Sequence, residues 1–341
     1  MTGVSHGVMG VGVLVCVLLF GAAVSVGAQV RPRDIPIVAQ PQQRFNSGQD
    51  IQPVFEGWVR KPDGDYVFHF GYLNRNYREQ PSIPVGPDNF FSPGSEDRGQ
   101  PTYFFPRTRR YQFEVDVPAG FGLEDELVWS VTAHGSQQQA IGWLQPEWEI
   151  DVNTITSNTR MGNGRGEEEL HTNRRPSVSV EASESSVAVG SSVKLIAMLT
   201  DDELPTEAPR RAPRRDRTPS LIPPDDAPEI PDNIEWASRA SPPRNGLAVF
   251  WMVYRGPADA SFEPSGYQRA VSEDEGNEPD TGRIPSGPPP GPTSTNLEGD
   301  GWTMAKFETE VTFDQPGTYT LRAVASDSML LTPADVTVIV R

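Results

Sequence analysis

Cysteine is nearly absent from this 341-residue chain: Cys16 is the single one, and it lies inside an apolar N-terminal run. The chain beyond that run therefore has no disulfide, no Cys-based metal site and no thiolate nucleophile. Histidine is scarce too. After His6 come only His69, His134 and His171, each in a different sequence setting, which argues against a His-metal cluster or a Ser-His-Asp triad. Beyond the leader there is no Gly-x-Ser-x-Gly elbow, no His-Glu-x-x-His and no phosphate-cradling glycine loop. With 46 acidic residues, carboxylate pairs occur throughout, Glu147 and Glu149 around Trp148 among them. Nothing selects two at the fixed separation that glycosidase chemistry requires. The chain reads as a non-enzyme without a cofactor. Positive charge is also in deficit: 29 Lys and Arg against 46 Asp and Glu give a formal charge of −17. That balance favours solubility and argues against nucleic acid or anionic lipid as the main partner.

The first 28 residues read as a signal peptide. From Val8 to Ala28 there is no Asp, Glu, Lys or Arg, and the run ends in Val26-Gly27-Ala28, small residues suited to cleavage before Gln29. An uncleaved N-terminal anchor is the alternative, and it is the one route to a membrane. Val15 precedes Cys16 in mid-run, which does not fit a lipoprotein signal. Exported eukaryotic sandwiches often carry disulfides, and the chain also lacks any Asn-x-Ser/Thr sequon. Bacterial export is the resulting expectation, with periplasmic, cell-surface and secreted destinations all open.

Thirty-four prolines and 31 glycines point to many turns and short strands. Residues 29–52 lack periodicity and read as a linker. Residues 53–150 read as a first β-sandwich domain of short strands separated by turns such as Lys61-Pro62-Asp63-Gly64-Asp65. Within it Tyr66, Phe68, Phe70 and Tyr72 share one face at period two, with Trp58 near in sequence. Two readings stand: one wall of a core, or a platform on which a ligand such as a sugar ring stacks. Residues 151–175 read as a second linker with a loose helical turn. Residues 176–341 form a second strand-rich domain interrupted at 203–246 and 256–301 by stretches rich in Pro, Arg, Asp and Gly, too poor in apolar surface to pack. The fold class is all-β: two sandwiches on flexible linkers.

The segment from Phe313 through Pro316-Gly317-Thr318-Tyr319 to Ser326 is the most specific signal. A strand, a corner bearing a tyrosine and a second alternating strand resemble the PKD/Ig-like sandwich family of bacterial surface and secreted proteins. The resemblance implies a corner stapled by the Tyr319 hydroxyl. It puts Leu195 and Leu321 at the positions of the immunoglobulin disulfide and Trp251 at that of the core tryptophan. The match covers about a third of the chain, in separated pieces. The first domain looks like β-domains that recur in exported bacterial proteins, a resemblance that implies no activity.

Asp201 and Asp202 end one strand of this second sandwich and Asp327 ends another, and in sandwich topology those ends share a pole. Three carboxylates there suit calcium, which takes hard oxygen ligands; the plainer reading is that Asp favours turns because it bonds its own backbone. Arg210, Arg211, Arg214, Arg215 and Arg217 form a basic cluster, read either as a holder of an anionic surface or as a solvated loop paired with the acidic patch near Glu273. The expected role is a non-catalytic cell-envelope or extracellular interaction protein, its partner a protein or polysaccharide. The competing expectation is a carbohydrate-binding or enzyme-accessory module that uses the aromatic first domain.

Overall fold

Six strands build the first body: β1 (Ile51–Arg60), β2 (Tyr66–Asn74), β3 (Asn89–Ser92), β4 (Arg107–Val117), β5 (Leu127–Ala133) and β6 (Ser136–Gly142). They are arranged as two three-stranded sheets in the orders β1-β2-β4 and β3-β5-β6. These are features of a computed structural model that describes residues 44–159, 171–205, 247–264, 266–270, 293–294 and 303–341. The leader 1–28, most of the segment read as the first linker, the arginine cluster at 210–217 and the acidic patch near Glu273 lie outside the described residues. Among the described residues no helix is long and apolar enough to cross a membrane.

The hairpin joining β1 to β2 closes because Lys61 N–H donates to the Asp65 carbonyl at 2.8 Å while Gly64 sits at φ 96°. Alternation then turns Phe68, Phe70 and Tyr72 inward, where all three are essentially inaccessible to water. They meet the second sheet through aromatic edges: Phe70 against Phe91 at 5.3 Å, and Phe113 of β4 against Trp129 of β5 at 5.0 Å. Each such ring is worth roughly 1.5–3 kcal/mol when removed from water. This aromatic cluster is the core of the first sandwich.

A short helix, α1 (Val152–Thr159), comes next, capped by Asp151, whose Oδ1 accepts the Thr154 N–H at 2.7 Å. The second body contains β7 (Ser177–Ala182), β8 (Ser186–Val187), β9 (Ser192–Thr200), β10 (Ala248–Arg255), β11 (Ala260–Glu263), β12 (Tyr267–Ala270), β13 (Thr293–Ser294), β14 (Met304–Phe313), β15 (Gly317–Ser326) and β16 (Leu331–Val340). One sheet runs β11-β14-β9-β7 and the other β13-β12-β10-β15-β16-β8. The first of these is the D-E-B-A order of an immunoglobulin-type sandwich, and the second is its C-F-G sheet with extra strands at both edges. Leu195 on β9 and Leu321 on β15 are fully buried and Trp251 on β10 is 5% exposed, so apolar packing holds the centre of the sandwich.

The corner between β14 and β15 has three supports. The Tyr319 hydroxyl donates to the Gln315 carbonyl at 3.0 Å, and its ring lies 4.5 Å from that of Phe313. Gly317 holds φ 153°, and a Cβ there would come within 2.7 Å of Pro257. Only glycine fits both demands.

Three segments depart from the sequence reading. β1 begins at Ile51, which is fully buried, inside the stretch read as linker. Asn173, near the end of the second linker reading, is 8% exposed and bonded into the second body. Residues 256–270 fall in a stretch read as unpackable, yet β11 pairs with β14 and β12 with β10. Composition underweights such strands because backbone pairing and small buried residues, here Ala260 and Ala270, suffice to hold them.

Replacing Tyr319 with Phe removes one buried hydrogen bond and keeps the ring. The variant is expected to lose about 1 kcal/mol, read as a lower denaturant midpoint at unchanged slope.

Candidate functional site

The best-built polar feature is the seam where the two sandwiches meet. The described residues belong to a single compact unit. Along β10, Val249, Trp251 and Val253 point into the second core, and the strand runs out through Tyr254 and Arg255 to Gly256. Tyr254, 3% exposed, packs into the aromatic core of the first sandwich instead, and its hydroxyl donates to the Gly99 carbonyl. Its own carbonyl accepts the N–H groups of Thr102 at 3.2 Å and Tyr103 at 3.3 Å. Gly256 N–H donates to Thr102 Oγ1, and Ser82 Oγ donates to the Gly256 carbonyl at 2.7 Å. The exchange is mutual, because Tyr103 and Phe105 of the first body lie in the core cluster of the second.

Charges line the same seam. Arg255 forks onto Asp97 through two bonds of 2.9 and 2.7 Å and donates from Nε to the Gln100 carbonyl. The guanidinium holds the Asp97 carboxyl below the usual carboxylate range. Arg322 forks onto Asp335, lies 3.3 Å over the Tyr254 ring and reaches the Gln112 carbonyl at 3.1 Å. Arg175 pairs with Glu114, which also lies 3.7 Å from His69 Nδ1. Burial pushes the His69 imidazole down, favouring the neutral ring. The Arg255–Asp97 pair is partly open to water and so contributes only about 0.2–1 kcal/mol. Burying Tyr254 contributes about 2 kcal/mol and dominates.

At the pole of the second sandwich the turn-forming reading accounts for two of the three aspartates that the sequence also offered to calcium. Among the described residues no three His, Cys, Asp or Glu side chains group as metal ligands. Asp202 is exposed and accepts the Leu204 N–H at 3.2 Å. Asp327 is buried, but its oxygens are already engaged by Met329 N–H, Leu330 N–H and Asn173 Nδ2. The turn-forming habit of aspartate explains these placements. Asp201 is the exception: its buried Oδ1 has no hydrogen-bond partner. Burial, then the negative fields of Asp327 and Asp202, push its carboxyl up to about 7.

The face proposed for stacking is not available to a ligand. Trp58, Phe68, Phe70 and Tyr72 are all at most 3% exposed, and Tyr66 is half-buried with its ring against Trp58. An aromatic strand between two sheets gains more from the core than from water. Among the described residues Phe45 and Trp148 are the open aromatic side chains, and Trp148, 39% exposed, lies beside Trp143 at 6.1 Å and Phe55 at 5.8 Å. Sequence reasoning placed Trp148 between two glutamates without separating it from the buried rings. It also left Tyr254 without a face; the cue was that Val249, Trp251 and Val253 already occupy the inward positions.

No protein-family model and no curated protein matches the chain. Among solved structures it is similar to the D00-D0 domain of intimin, with 8% identity over 87% of this chain and 96% of that one, at a TM-score of 0.23. It is similar to domains 4 and 5 of the S-layer protein SbsC, with 8% identity over 86% and 98% and a TM-score of 0.19. The adhesin InvE of Yersinia pseudotuberculosis gives 10% identity over 86% of this chain and 59% of that one, at a TM-score of 0.22. The fold assignment rests on strand order and not on these.

The seam and the pole each lead to a measurable outcome. Wild-type protein is expected to unfold in one transition by calorimetry, whereas Tyr254→Ala splits it into two, because among the described residues the ring is the one side chain of the second sandwich buried in the core of the first. Asp201 is protonated in the folded state up to about pH 7 and ionises near the ordinary carboxylate value when unfolded. The folded form thus binds more protons between those values, and stability falls as pH rises across that window. Asp201→Asn should remove this slope and raise the melting temperature at pH 8, by about 1 kcal/mol equivalent after allowance for solvent screening.

Proposed function

We propose that this chain is an exported bacterial protein of the cell envelope or extracellular space that holds or binds a partner and transforms nothing. The observation that carries the reading is the Tyr254 clasp, which couples two sandwiches through shared core residues. A body of that kind presents fixed surfaces at a fixed angle, which suits a structural or adhesive role. A strongly acidic surface keeps it soluble. The PKD-like affiliation of the second sandwich belongs to this proposal, supported by the corner at Pro316–Tyr319. So do the domain limits 53–150 and 176–341 and cleavage of the leader after Ala28.

A second reading has one observation in its favour. Trp148, set beside Trp143 and flanked by exposed Glu147 and Glu149, is the kind of aromatic ledge on which a sugar ring can lie. Under it the protein is a carbohydrate-binding or enzyme-accessory module.

Fractionation of bacterial cells producing the full chain with a C-terminal tag tests the first reading. The tagged protein is expected outside the cytoplasm, with in-cell cross-links to an envelope component that weaken in Tyr254→Ala. Cytoplasmic residence would overturn it. Retention on an insoluble polysaccharide, abolished by Trp148→Ala, would transfer support to the second reading.

A further inference from the structure

Arg109 is the least compensated charge in the described structure. It lies on β4, is 3% exposed, and its Nε, Nη1 and Nη2 all lack a hydrogen-bond partner. Arginine cannot escape by deprotonating, and a guanidinium offers five N–H donors and no acceptor. Leaving such a group dry and unpaired is among the costliest arrangements a fold can contain. The chain has a large excess of carboxylates, yet among the described residues none pairs with it.

The one polar group beside Arg109 offers it a single acceptor oxygen and brings a donor of its own. The Tyr72 hydroxyl lies next to the guanidinium, and its oxygen already accepts the Phe105 N–H at 3.0 Å. The Tyr72 O–H proton is therefore left to donate. The Phe105 ring covers another side, 5.5 Å from the guanidinium carbon. Backbone geometry fixes the side chain in this place. Arg107 and Tyr111, two residues either side, hold φ 65° and 49°, a region costly for residues with a Cβ. Opposite them the β2–β4 register shifts between Phe70 and Tyr72, where a Cβ on Gly71 would come 2.4 Å from the Arg109 carbonyl oxygen. An irregular stretch of β4 thus carries the buried cation, with fewer acceptors around it than it has donors.

We propose that Arg109 and Tyr72 form a binding site for a small monovalent anion of the halide class. Five guanidinium donors and a hydroxyl proton, against a single polar acceptor in the Tyr72 oxygen, leave an excess of donors that calls for an anion. One positive charge is balanced by one negative charge, so a phosphate or sulfate dianion would leave a buried excess. The depth of the guanidinium excludes a carboxylate carried on another macromolecule. Because Phe105 belongs to the second core cluster while Tyr72 belongs to the first, the bound anion would help hold the seam.

Bromide is the probe. Crystals of the full chain soaked in sodium bromide are expected to show an anomalous peak within hydrogen-bonding distance of the Arg109 guanidinium and the Tyr72 hydroxyl. In solution, the melting temperature should rise with the logarithm of chloride or bromide concentration when gluconate is exchanged at constant ionic strength. Arg109→Met should abolish that rise, and Tyr72→Phe should shift it to higher halide. A guanidinium hydrated by water alone in the soaked crystal would overturn the proposal, as would an equal halide response in Arg109→Met. If Arg109→Met does not fold, the peak in the wild-type crystal decides.

Discussion

One aromatic side chain ties the two halves of this molecule together. Tyr254 grows from a strand of the second sandwich, but its ring completes the core of the first. Its carbonyl closes the 102–103 backbone, its hydroxyl closes Gly99, and Arg322 lies on its outer face. Without it the neighbouring ion pairs would join two surfaces that water could enter. With it they become orienting contacts around a dry centre, which is how hydrogen-bonded rims work around apolar cores at interfaces.

The distribution of charge repeats this logic. In a strongly acidic chain, Arg109, Arg175, Arg255 and Arg322 all gather along the seam. Three of them meet a carboxylate. Such pairs add little net stability when exposed, so their contribution is geometric: planar forks admit few docking angles. The fourth has no carboxylate and is the deepest. The pole around Asp327 is the acidic counterpart, a carboxylate held by backbone amides with Asp201 destabilised beside it.

Much of the fold was legible in the sequence, because strand alternation and turn residues report local geometry directly. Phe68 and Phe70 read as one face and lie in one core; Pro316, Gly317 and Tyr319 spell a corner in a few residues. Contacts between distant segments were not legible. Nothing in Arg107-Thr108-Arg109-Arg110-Tyr111 distinguishes the buried guanidinium from its two more open neighbours. The cue was a glycine, Gly71, in mid-strand, which signals a bulge or a close backbone approach but not which charge it serves. The aspartates at 201, 202 and 327 were placed at one pole by topology, yet the backbone amides that occupy Asp327 become visible only once the turn after β15 exists. Residues 256–270 misled for the opposite reason, since ladder hydrogen bonds need no hydrophobic side chain.

The centre of the second sandwich carries Leu195 and Leu321 where related architectures bridge their sheets covalently. Packing forms spontaneously and is indifferent to electron transfer. Such a centre needs neither a thiol oxidase nor a disulfide isomerase to form, and glutathione or thioredoxin finds nothing in it to cleave. The packing of Leu195 and Leu321 at this centre is therefore independent of whether the compartment is reducing or oxidising.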